Sequence, residues 1–310
     1  MSRESEPYTP SNFLALPPEQ SSLEGSRVVV LPVPYDSTTS SRSGTREGPR
    51  AIIEASAQLE DYDPELDSDV AQLGIYTSEA LEPHVGDPAA MIERVARATL
   101  GYAQQSKLVA LLGGEHSISV GAVRAWRSLY PRLTVLYLDA HADLRDVYWG
   151  TRWGHASTAR RILDLGPLVE VGVRSLSEEE QEFIRREGLP VFFWSETGGP
   201  ELDLDAVLSL LGPEVYVSID LDVLDPALMP AVGTPEPGGM DWGQVLFLLR
   251  GVAQRRRLVG FDVVELCPTA GHPACAYTAA KLAYKVMAYA TLGSGRELTI
   301  PGPASRERAG

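Results

Sequence analysis

The stretch Leu133-Thr134-Val135-Leu136-Tyr137-Leu138-Asp139-Ala140-His141-Ala142-Asp143 decides how this chain is read. It begins as an apolar, β-branched run that suits a strand covered on both faces. It ends in the polar pattern D-x-H-x-D. Working outward, similar runs recur at Arg27–Pro34, Lys107–Leu112, Leu168–Val173, Leu189–Trp194, Glu214–Asp220 and Leu258–Glu265. Between them lie segments of helical character: Gly48–Tyr62, Pro88–Gln105, Ser117–Tyr130, Ser177–Glu187, Asp241–Gln254 and Pro273–Leu292. This alternation predicts an α/β fold with a mostly parallel sheet and helices on both faces. Sheets of this kind place ligands at the carboxyl ends of their strands.

Three strand ends carry chemistry. They are Leu111-Leu112-Gly113-Gly114-Glu115-His116-Ser117, the D-x-H-x-D segment, and Val217-Ser218-Ile219-Asp220-Leu221-Asp222. If the chain stays extended, side chains alternate with period two. Asp139, His141 and Asp143 are then expected on one side, as are Asp220 and Asp222. With His116 this gives two imidazoles and four carboxylates at one sheet edge, and divalent metal is their natural compensator. Four Asp charges balance two divalent ions. A lone His or Asp at a strand end usually caps or hydrogen-bonds; D-x-H-x-D together with D-x-D is a far more specific pattern. The set contains no Cys, which disfavours structural zinc, and its hard carboxylates suit Mn²⁺. Two such ions sharing carboxylates can lower the pKa of a shared water towards neutrality and so supply a nucleophile.

Composition excludes several classes. The 310 residues carry 42 acidic and 27 basic side chains, a formal net charge of −15. This argues against nucleic acid and anionic membrane as partners and favours cationic ligands. Cys267 and Cys275 are too few for a disulfide framework and read as small buried fillers. The polar start lacks a secretory apolar core, and no run is long enough for a membrane span. The expected location is therefore cytoplasmic. Residues 1–26 are expected to be a flexible arm that packs only in an oligomer, 27–293 a single catalytic domain, and 294–310 a polar tail.

The chain resembles the arginase and agmatinase family of ureohydrolases. The resemblance rests on Gly113-Gly114-Glu115-His116-Ser117, Asp139-Ala140-His141-Ala142-Asp143 and Ser218 to Pro226. It continues in Gly233-Thr234-Pro235-Glu236-Pro237-Gly238-Gly239 and Asp262-Val263-Val264-Glu265. It implies a three-layer α/β/α sandwich of the arginase/deacetylase type and two Mn²⁺ per chain. One ion would be held by His116, Asp139, Asp143 and Asp220, the other by His141, Asp139, Asp220 and Asp222. It also implies that Glu265 orients the guanidinium, that His155 passes protons, and that the chain assembles as a homotrimer or homohexamer. Here His155 sits in Gly154-His155-Ala156, where the family has His-Gly.

The expected substrate is a small cationic guanidine. The loop Leu144–Gly154 lacks the Asn and Ser with which arginases grip an α-amino acid. It offers Tyr148, Trp149 and Trp153 to an alkyl chain or ammonium instead. Glu236, in an agmatinase-like Thr-Pro-Glu-Pro-Gly-Gly stretch, is a further expected contact. Agmatine, split to putrescine and urea, fits best; aminopropylagmatine, guanidinobutyrate and arginine are the alternatives within this chemistry. Arg145 is expected to pair with Asp146 or another acid. If Arg145 or Arg152 faced the pocket, it would favour a carboxylate. Outside the chemistry lie a single-zinc amine deacetylase, separable by metal content, and a non-catalytic homologue, which would have lost ligands.

Overall fold

A computed structural model describes residues 8–195 and 202–292; the tail expected at 294–310 lies outside the described residues. The strands are β1 (Val28–Val33), β2 (Tyr62–Asp63), β3 (Ser68–Asp69), β4 (Ile75–Thr77), β5 (Leu108–Gly113), β6 (Thr134–Leu138), β7 (Leu168–Val173), β8 (Val191–Phe193), β9 (Glu214–Asp220) and β10 (Arg257–Val264). Among the described residues, one sheet runs β4-β1-β5-β10-β9-β6-β7-β8, and every neighbouring pair is parallel. The pair β2–β3 is a separate antiparallel hairpin. The helices are α1 (Pro18–Ser21), α2 (Gly48–Ser56), α3 (Pro88–Ala103), α4 (Ser119–Leu129), α5 (Thr158–Leu163), α6 (Glu178–Glu187), α7 (Leu204–Leu210), α8 (Trp242–Arg255) and α9 (Ala274–Leu292).

The pleat sorts successive strand residues into two core layers. Leu112, Leu136 and Val217 pack with Ile52 of α2, Leu248 of α8 and Met287 of α9. Leu111, Val135 and Tyr216 pack with Val95 of α3, Val123 of α4 and Ile162 of α5. The three-layer α/β/α sandwich is therefore as expected. Cys267 and Cys275 are buried and free.

Two departures have physical causes. The helix expected over Gly48–Tyr62 stops at Ser56, whose Oγ turns back to donate to the Ile53 carbonyl at 2.7 Å. The chain beyond it is claimed by an ion cluster, in which Lys285 of α9 meets Asp63 at 2.7 Å and Glu65 at 2.6 Å. The edge strand β4 is three residues long, too short to give a period-two signal. Of the arm expected at residues 1–26, residues 1–7 lie outside the described residues and the described part packs on its own chain. Phe13 and Leu16 are buried. The Phe13 and Leu14 amides donate to Thr77 Oγ1 at 2.9 Å and Ser56 Oγ at 2.8 Å.

Candidate functional site

The four central neighbours β5, β10, β9 and β6 all end on one edge because they are parallel, and each delivers part of one site. After β5 the chain must pass hard against the end of β1. A Cβ on Gly114 would lie 1.9 Å from the Tyr35 carbonyl oxygen, so only glycine fits. The Glu115 amide then donates to that carbonyl at 2.7 Å and sets His116 into a short 3₁₀ turn. After β10, Glu265 adopts φ +66°. This is the left-handed region that a non-glycine residue enters only when held there. Its amide donates to Gly114 O at 2.8 Å, and its Oε1 accepts from the His116 amide at 2.6 Å.

The six expected ligands converge, but not by strand alternation. Strand β6 ends at Leu138 and β9 at Asp220, so Asp139–Asp143 and Asp222 lie beyond the pleat. Local side-chain hydrogen bonds bend the chain instead. The His141 amide donates to Asp139 Oδ1 at 2.6 Å, and the Asp222 amide to Asp220 Oδ1 at 2.9 Å. Asp143 takes φ +50°, and Asp222 sits in a 3₁₀ turn, Leu221–Val223. Asp and His tolerate such turns better than most residues.

The donors form two groups that could each hold a metal ion, His116–Asp139–Asp220 and Asp139–His141–Asp222, with Asp139 common to both. Asp143 Oδ2 lies 3.8 Å from His116 Nδ1. The local chemistry fits cations. His116 Nδ1 has Asp139 Oδ2 at 3.0 Å, Asp220 Oδ2 at 3.1 Å and the Tyr137 hydroxyl at 3.0 Å around it. One ring nitrogen can give at most one hydrogen to three oxygens. Asp139 Oδ2 is buried and has no hydrogen-bond partner among the described residues. Burial and then the neighbouring carboxylates push Asp143 and Asp220 well above the usual carboxylate range; divalent charge would relieve that repulsion.

Residues that sequence reading did not single out orient these donors. His116 Nε2 lies 2.8 Å from Ser218 Oγ, which donates to buried Asp262 at 2.8 Å. This relay puts the proton on Nε2 and leaves the Nδ1 lone pair for the donor cluster. Ser218 points there because it lies two residues before Asp220 on β9, a register visible in the sequence. Asp262 sits beside it across the β10–β9 pairing, which sequence alone does not reveal. Tyr137 donates to Asp143 Oδ2 at 2.9 Å. Glu115, raised to about 7 chiefly by burial, accepts from the Thr38 amide and hydroxyl at 2.6 and 2.5 Å.

A cavity of about 260 Å³ opens onto the donors and is lined by His141, Asp143, Asp220, Asp222, His155 and Glu265, among others. His155 Nε2 is 3.1 Å from Ser40 Oγ, and its amide donates to Thr38 Oγ1 at 3.1 Å. Burial first, then the nearby imidazoles, lower its pKa to about 4. Tyr148 also lines the cavity. Trp153 does not; it packs against the core layer below. Glu236 Oε1 lies 3.9 Å from His141 Nε2 and accepts from Ser175 Oγ at 3.1 Å. Arg145, expected to pair with Asp146 or another acid, pairs with another acid, Glu180, at 3.9 Å. Asp146 is taken by Arg161 at 2.6 Å and Arg152 at 3.1 Å. Arg145 also lines the cavity.

Relatives carry the same plan. The sequence profile of the Arginase family matches residues 26–289. The N(1)-aminopropylagmatine ureohydrolase of Synechocystis sp. is 41% identical over 270 residues, 84% of this chain and 88% of that protein. The agmatinase of Pyrococcus horikoshii is 38% identical over 265 residues, 84% of this chain and 90% of that one. The solved agmatine ureohydrolase of Thermoplasma volcanium superposes with a TM-score of 0.81 at 32% identity, covering 92% of this chain and 96% of that one. An intact set of six donors at the carboxyl edge of a parallel sheet, in a chain so matched along most of its length, makes this protein a member of the arginase family and a ureohydrolase, a hydrolase of linear amidines.

Proposed function

We propose that the chain releases urea from a linear guanidine with an amine at its far end, N(1)-aminopropylagmatine ahead of agmatine, using two Mn²⁺ ions. The observation that carries this is the cavity. Beyond the metal donors its lining carries Glu265, Glu180 and Tyr148, and the loop Leu144–Gly154 brings to it no Asn or Ser to grip an α-amino acid. The relative at 41% identity bears the aminopropylagmatine name and the one at 38% the agmatinase name, which supports the longer amine over agmatine, the best fit from sequence. A carboxylate-ended guanidine such as guanidinobutyrate is the second reading, favoured by Arg145 in the cavity wall.

Bound by His116, Asp139, Asp143, Asp220, His141 and Asp222, the ions would supply Lewis acidity and a water of lowered pKa. The chain's own groups do the rest. Glu265 takes the guanidinium through a charge-assisted, two-pronged contact. That cation would offset the burial and the nearby Glu115 charge that hold the Glu265 carboxyl well above its usual range. His155, fixed by Ser40 and Thr38 and held neutral by its lowered pKa, would take a proton released by the attacking water and pass it to the departing amine nitrogen. Tyr137 keeps Asp143 turned towards His116.

The test is urea release from Mn²⁺-loaded protein offered the two amines, guanidinobutyrate and arginine. The proposal expects both amines to outrun the acids. Guanidinobutyrate in first place would transfer the assignment to the second reading.

A further inference from the structure

The end of β7 passes hard against both turns that carry the donors. Gly172 has φ +108°, and a Cβ there would lie 2.5 Å from Val223 Cγ2 and 2.9 Å from the Asp139 carbonyl oxygen. The pairing of β7 with β8 skips a residue at this point, between Val171 and Val173. Such an irregularity re-aims the side chains beside it. Arg174 follows, and its guanidinium lies among main-chain carbonyls. Nη2 donates to Asp222 O at 2.7 Å and to Glu236 O at 2.8 Å. Nε donates to Pro237 O at 3.0 Å and Nη1 to Gly172 O at 3.1 Å. Longer contacts reach Val223 O at 3.4 Å and Leu224 O at 3.5 Å. One planar group thus ties together the end of β7, the turn Leu221–Val223 that holds Asp222, and the loop of Glu236, whose carboxylate stands 3.9 Å from His141 Nε2. Arg174 does not itself line the cavity, so whatever it does there it does through these neighbours.

We propose that Arg174 is a positioning residue whose guanidinium fork holds Asp222 and His141 in place for one of the two ions, the one served by Asp139, His141 and Asp222. This rests on the two-ion reading above. The fork matters because a guanidinium presents five N–H donors in one rigid plane, whereas a lysine ammonium has three on a single pivot. Asp222 needs its carboxylate fixed in two directions. Its Oδ1 accepts from the Ala140 amide at 2.9 Å, and its Oδ2 meets His141 Nδ1 at 2.8 Å. A turn released at its carbonyls lets that carboxylate drift from both. The donor group around His116 is braced from elsewhere, by Ser218 and Asp262, so the effect falls on one ion. Charge acts in the opposite direction. Arg174 has the same sign as the ions, and losing its charge alone would tighten their binding.

The test measures stepwise Mn²⁺ affinity by chelator competition in wild type, Arg174→Met and Arg174→Lys, with thermal unfolding of the metal-free proteins alongside. Both variants are expected to bind one ion as wild type does and the other about 10–100-fold more weakly, the usual range for losing such a support. Arg174→Lys binding both ions as wild type does would place the effect in the charge and overturn the proposal. Unchanged or tighter binding in Arg174→Met overturns it as well. Equal weakening of both ions overturns it too, and a lower unfolding temperature of the metal-free variants would then mark Arg174 as a general brace. Wild type that binds fewer than two ions overturns the two-ion reading and this proposal with it.

Discussion

Replacing Ser218 with alanine removes one oxygen from the relay behind the donor cluster. In the native chain His116 Nε2 lies 2.8 Å from Ser218 Oγ, in a region where His116 and Ser218 are fully buried. In Ser218→Ala the Nε2 proton has no acceptor, and a buried unpaired donor costs about 1–3 kcal/mol. The ring can escape by moving its proton to Nδ1. That proton would then face Asp139 and Asp220 and compete with a cation for the same position. Either way the cost falls on metal binding, and about 10–100-fold weaker affinity is expected, the usual range for losing such a support. The fold should survive, because Asp262 keeps the Tyr216 hydroxyl at 2.7 Å and the Ile219 amide at 3.3 Å. The assay is Mn²⁺ titration against a competing chelator, with thermal unfolding of the metal-free protein as control. The loss should concentrate in one of two ions, since His141 is held separately by Asp222 at 2.8 Å. Two ions bound with native affinity in Ser218→Ala would refute the relay.

Asp139 belongs to both donor groups, so Asp139→Asn should abolish turnover and weaken both ions; full metal content with normal turnover would defeat the assignment. Glu265→Gln should raise KM and lower kcat, at a cost of about 1.5–3 kcal/mol, while metal content by elemental analysis stays at two; unchanged kinetics would return Glu265 to a structural role. Lys285→Met strands Asp63 in a buried position and should cost about 3–5 kcal/mol by denaturant unfolding. The same cluster sets an acid limit. Burial works against ionised Asp63, yet Lys285 holds it below the usual carboxylate range. Its stabilising effect is therefore complete above the unfolded pKa of about 4 and is lost as pH falls through the lower folded value. Wild-type stability should drop on acidification more steeply than that of Lys285→Met.

The sheet and its catalytic edge were legible because the apolar runs ending in Asp139, Asp220 and Glu265 carry a strand signal and a chemical one together. What fixes their final geometry was not. The carboxylates converge through turns at Asp139–His141 and Asp220–Asp222, which depend on side chains bonding to nearby amides rather than on periodicity. The Ser218–Asp262 contact is made across strands far apart in sequence. Arg145 was expected to pair with Asp146 or another acid; Arg161 from α5 and Arg152 occupy Asp146, and the acid it meets is Glu180, which is distant in sequence. The chain before Arg27 is polar in composition, yet the two apolar side chains at Phe13 and Leu16 are enough to seat it. Average composition conceals such anchors.

The central claim is tested most directly by measuring urea released by the Mn²⁺-loaded protein from N(1)-aminopropylagmatine, agmatine, guanidinobutyrate and arginine under one set of conditions. Arginine would bring an α-carboxylate to a wall whose Arg145 already faces Glu180 at 3.9 Å, and so would be desolvated without full compensation. The predicted order places both amines above both acids, with agmatine ahead of arginine in kcat/KM by at least about a hundredfold, or roughly 2.7 kcal/mol. Urea from none of the four, with two ions bound, would contradict the account.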